Sequence, residues 1–77
     1  MKTNVSGEQL RAARGLLNWS MADLAQRAGV HRNTIYRLEN DRQTYSHAAR
    51  QIVRTLEEAG VHFSLTGVAR RQANEPV

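Results

Sequence analysis

Between Met21 and Leu38 two short stretches with apolar residues at helical spacing meet at a single glycine, and no other feature limits the fold as tightly. Leu24, Ala25 and Ala28 form the stripe of the first stretch, and Thr34, Ile35 and Leu38 that of the second. Gly29 lies between them, where a residue free to adopt a positive φ turns the chain. Ala25 has to be small because the following helix crosses there. Leu24, Ala28, Val30, Ile35 and Leu38 fill the angle between the two helices.

The rest of the chain supplies partners for this unit. Ser6 followed three residues later by Gln9 has capping-box spacing, which predicts a helix from Gly7 to about Leu17. Leu10, Ala13, Leu16 and Leu17 form its apolar face, and Gln9 and Arg11 point outward; Met1 to Val5 reads as a short polar lead. Ser20 with Asp23 repeats the cap signature and starts a helix of about two turns that closes at Gly29. The third helix ends near Asn40. Asn40 to Tyr45 is polar and tolerates turns, and Ser46 caps a fourth helix ending before Gly60, with Ala49, Ile52, Val53, Leu56 and Ala59 on one face. Val61, Phe63 and Leu65 then alternate with His62 and Ser64 at strand period, and Thr66-Gly67 turns the chain into a second short strand, Val68 to Arg70. Residues 72–77 are expected to be disordered.

The 77 residues give room for one domain, and a domain of this size buries only about 60% of the surface its unfolded chain exposes. Its own stability is expected to be marginal, with partner burial supplying part of it. The absence of cysteine removes disulfides and thiolate metal sites and suits a reducing compartment such as the cytoplasm. No apolar run is long enough for a membrane span or a signal-peptide core. The net charge is +4, and all but one of the eleven cations are arginine, the exception being Lys2. Guanidinium groups favour planar, bidentate contact with phosphate or guanine, although a basic surface alone does not decide for nucleic acid.

The spacing of the positions between Leu24 and Leu38 matches the DNA-binding helix-turn-helix pattern throughout. Carried by "LRAARGLLNWSMADLAQRAGVHRNTIYRLEN" and the later "LEEAGVHF", the chain from about Gly7 to Phe63 resembles the lambda-repressor-like regulators of the Cro/C1, or XRE, type. The implied fold is mainly α: a compact four-helix DNA-binding domain over residues 1–60, followed by a short C-terminal β-strand or hairpin over 61–71. The implied function is sequence-specific binding of double-stranded operator DNA, as a homodimer, to regulate transcription. Met21 stands where the family commonly carries a Gln that reaches DNA, His31 where Ser or Thr caps the recognition helix, and Asp41 where Gly is usual. At His31 a weaker helix start, or one using the backbone differently, is expected.

By this resemblance the third helix, about residues 31–40, lies in the major groove with its N-terminal end against base edges. Arg32, Asn33, Tyr36 and Arg37 become the candidate base contacts. The chemistry suits them, since Arg matches guanine O6 and N7 and Asn matches adenine N6 and N7. Asn40, Arg42, Gln43 and Thr44 follow and read as phosphate contacts. Arg14 lies among Ala13 and Leu17 on the apolar side of the first helix; in the resembling family its position and that of Glu39 form a buried ion pair of architectural role. Trp19 is expected to pack at the junction of the first and second helices.

Other chemistries find less support. His31, His47 and His62 match no short metal-ligand spacing. Ser20, Asp23 and His31 assemble into a triad only on paper, because the first two are explained as caps. No glycine-rich phosphate loop is present, so neither an enzyme nor a cofactor is expected, and without a separate ligand domain no small-molecule effector is expected either. A second reading is a protein-interaction module, such as an antitoxin-like partner using the same fold, for which only Val61 to Val77 lies outside the DNA-binding domain. The alternating segment Val61 to Arg71 is open between pairing with a second subunit and folding back on its own core.

Overall fold

The computed structural model describes residues 5–40 and 46–71. Four helices, α1 (Gly7–Leu17), α2 (Met21–Ala28), α3 (Arg32–Glu39) and α4 (His47–Glu58), are followed by two strands, β1 (Val61–Phe63) and β2 (Val68–Arg70). Asp41, Arg42, Gln43, Thr44 and the tail expected to be disordered lie outside the described residues.

The helix starts are set by local chemistry. Ser6 Oγ accepts the Gln9 backbone N–H at 3.1 Å while Gln9 Oε1 accepts that of Ser6 at 3.0 Å, closing a capping box. Ser20 and Asp23 repeat it on α2 at 3.0 and 2.9 Å, and Ser46 caps α4 by accepting from the Ala49 N–H at 3.1 Å. Two helices end on left-handed residues, Asn18 at φ 59° and Gly29 at φ 72°. In each case the next N–H reaches back five residues, Trp19 to the Arg14 carbonyl and Val30 to the Ala25 carbonyl, both at 3.0 Å. The positive φ at Gly29 is the one that the sequence required; the non-glycine at Asn18 had no such signal.

Every helix contributes to one core. Leu10 of α1, Leu24 of α2, Ile35 of α3, and Ile52 and Leu56 of α4 are its largest fully buried side chains. Their removal from water is the main favourable contribution, about 1.5–3 kcal/mol each. The helices approach so closely that Gly7 is obligatory: a Cβ there would collide with the Leu38 and Glu39 backbone carbonyls at the end of α3.

Four expectations are corrected. Val5 belongs to the core at 6% exposure, so the lead segment is not polar throughout. Leu16 is exposed, because about 100° per residue carries it to the edge of the stripe that Leu10, Ala13 and Leu17 turn to the core. Gln9 points inward instead of outward: its Nε2 donates to the Ser64 and Gly67 carbonyls at 2.9 and 3.0 Å, which secures the hairpin turn to the start of α1. Strand alternation also stops earlier than the residues suggest. β1 ends at Phe63, and Leu65 sits in the turn at 91% exposure. Ser64 ends the strand by donating its N–H to the Gly67 carbonyl and accepting the Gly67 N–H on Oγ, both at 3.0 Å.

β1 and β2 pair antiparallel, with Val61 opposite Arg70, His62 opposite Ala69 and Phe63 opposite Val68. Within the single chain the hairpin folds back on α1 and α4: Val61 is buried, and Phe63 and Val68 pack partly buried against the core.

Candidate nucleic-acid interface

α3 divides sharply into two faces. Ile35, Leu38 and Glu39 are buried against α1 and α2, whereas Arg32, Asn33, Tyr36 and Arg37 are exposed. The helical period alone separates the sets, since Arg32 and Tyr36, and Asn33 and Arg37, are four residues apart and stack along one side. Two guanidiniums, one amide and one phenol, the last 59% exposed, thus share an edge that no other described element covers. Asn40 is also exposed and donates from Nδ2 to the Tyr36 carbonyl at 2.7 Å, closing the end of α3.

The helix is held from three sides. At its start, His31 adopts extended backbone angles and its Nδ1 accepts the Asn33 N–H at 3.0 Å. The weaker or backbone-based start expected there is therefore replaced by a side-chain cap of ordinary length. Sequence reasoning missed it because imidazole is uncommon among capping groups. At its end, Glu39 is 4% exposed and receives a fork from Arg14, Nε to Oε2 at 2.6 Å and Nη2 to Oε1 at 2.9 Å. Arg14 also donates from Nη1 to the Trp19 carbonyl at 3.0 Å, so one guanidinium joins α1, the α1–α2 junction and α3. The hydrogen bonds that Arg14 donates to Glu39 raise its pKa above the ordinary range, against a smaller lowering by burial. On the third side α2 packs against α3 with Leu24, Ala25 and Ala28 buried, and Gly29 makes the turn between them.

Trp19 is half-buried at the α1–α2 junction, and the Arg27 guanidinium lies 4.4 Å from its ring centroid, within cation–π range. Asp23 has its pKa lowered by the hydrogen bond from the Ser20 backbone N–H. Its folded-state value is depressed, so the carboxylate supports the α2 start above the ordinary aspartate range, and that support is lost on acidification. Among the described residues no group of His, Cys, Asp and Glu is placed to hold a metal ion, and no helix is long and apolar enough to cross a membrane.

A family model for the helix-turn-helix matches residues 10–59, the segment containing all of α2, α3 and α4 and most of α1. The chain belongs to the lambda-repressor-like helix-turn-helix family. Comparison with curated proteins finds no match. This is a family of DNA-binding regulators, and the helix-turn-helix here is α2, the Gly29 turn and α3. Of the residues assigned to DNA from the sequence, Arg32, Asn33, Tyr36, Arg37 and Asn40 lie on or at the end of α3; Arg42, Gln43 and Thr44 fall outside the described residues.

Proposed function

We propose that the protein is a sequence-specific transcriptional regulator that binds operator DNA as a homodimer, with α3 in the major groove. The observation carrying this reading is the exposed edge of α3 itself. Its side chains are of the types that read base edges, and its opposite face is locked into the core. Arg32 and Asn33, in the first turn, contact bases; Tyr36 and Arg37, one turn on, extend the contact; Asn40, Arg42, Gln43 and Thr44 hold phosphates. The arginine-rich balance of charge adds the sequence-independent attraction that brings any duplex to the surface.

A dimer follows from the need to read enough base pairs. One recognition helix covers only a half-site, and a two-fold pair spaces two such helices by about 34 Å, one turn of duplex. The β hairpin with Leu65 exposed at its turn supports residues 61–71 as the joining element, and residues 1–60 as the DNA-binding unit.

Selection of bound duplexes from a random pool tests the reading. An inverted repeat with half-site centres about 10 base pairs apart is expected. Failure to enrich any site, or enrichment of one without two-fold symmetry, contradicts the specific reading or the dimer respectively.

A further inference from the structure

The cap on α3 depends on the protonation state of one side chain. A neutral imidazole carries one donor and one acceptor nitrogen. For His31 Nδ1 to accept the Asn33 N–H at 3.0 Å, the imidazole must be the neutral tautomer with its proton on Nε2. Protonation makes both nitrogens donors, which removes the acceptor, and it also sets a positive charge beside the N-terminal end of a helix, where cations are unfavourable. The residues immediately following the cap are Arg32 and Asn33, the first two of an eight-residue helix. In a helix this short the first turn carries half of the exposed edge.

We infer that His31 is the positioning residue of the recognition helix. Its neutral imidazole holds Arg32 and Asn33 in place, so discrimination between operator and random DNA weakens as the imidazole is protonated. This inference rests on the reading of α3 as the recognition helix. Histidine is the side-chain type that changes charge between about pH 5 and pH 8, which sets the two conditions of the test. The other charged groups on elements packed against α3 are already engaged or lie on exposed surface. Arg14 is held by Glu39, Asp23 by the Ser20 cap and Arg27 by the Trp19 ring, while Glu8 and Arg11 lie on the exposed side of α1. On α3 itself the Arg32 and Arg37 guanidiniums and the Tyr36 phenol are exposed and Glu39 is held by Arg14, which leaves His31 as the imidazole at the helix start.

Affinity alone does not isolate the effect, because an added positive charge attracts every duplex. The ratio of random-duplex to operator Kd does isolate it, since that attraction is common to both. Measured at about pH 8 and about pH 5.5 at one salt concentration, the ratio falls about fivefold for the parent, the size of a typical lost cap. In His31→Ser, and in His31→Asn as a second non-titrating cap, the ratio stays at the parent's high-pH value throughout. An unchanged ratio in the parent, or an equal fall in both variants, overturns the proposal. Thermal melts of the free proteins at the same two pH values separate this outcome from failure of the DNA reading. The parent Tm falls further on acidification than that of either variant, and equal falls overturn the cap mechanism whether or not an operator has been found.

Discussion

At the scale of single residues, Glu39 joins α3 to the rest of the molecule. Its carboxylate is 3% exposed and its partner Arg14 retains 16%, so the pair is largely withdrawn from water without being sealed from it. Removing one member of a buried pair leaves an uncompensated charge, at a cost of about 3–5 kcal/mol, and the residual exposure of Arg14 sets the lower end. Glu39→Ala is therefore expected to lower stability by about 3 kcal/mol and Tm by more than about 10 °C in a domain of this size. A melt superimposable on the parent's would show that the pair carries no such weight. The pair was legible in the sequence only through family resemblance, because nothing in the spacing of Arg14 and Glu39 brings them together. Gly7 left no trace at all: its role depends on where the end of α3 passes, a long-range fact.

At the scale of elements, the serine-capped helix starts and the existence of the hairpin were readable, whereas the end of β1 and the contact that ties the hairpin to α1 were not. Ser6, Ser20 and Ser46 act within four residues of chain, so their caps are local and appear in the sequence as spacing. The inward turn of Gln9 depends on carbonyls 55 and 58 residues away, and its place in the capping box concealed a second task. Leu65 misled in the opposite direction, since period-two alternation continues past the point where Ser64 folds the chain into its turn. Gln9→Ala tests the reassigned role. It removes the donor of the Ser64 carbonyl and leaves the Gly67 carbonyl with the Ser64 N–H alone, which costs about 1–3 kcal/mol. Amide exchange of the hairpin from Val61 to Arg70 is expected to accelerate before that of the α2 and α3 core amides; exchange matching the parent's would mean that the hairpin holds without this contact.

At the scale of the whole molecule, the fold places one exposed polar edge on a helix fixed by a cap at its start, an ion pair at its end and a crossing helix behind it. Preorganisation of this kind makes a set of side chains discriminate between bases, because misplaced donors and acceptors lose the directional part of each contact. Operator recognition through α3 requires Arg32 and Asn33 to meet base edges, and competition binding of parent, Arg32→Ala and Asn33→Ala to the selected operator against random duplex measures this directly. Each substitution is predicted to cut the preference for the operator by about 1–3 kcal/mol, roughly five- to 150-fold, and to relax selectivity at particular base pairs while the melt stays close to the parent's. An operator preference unchanged in both variants would contradict the assignment of α3 as the recognition helix.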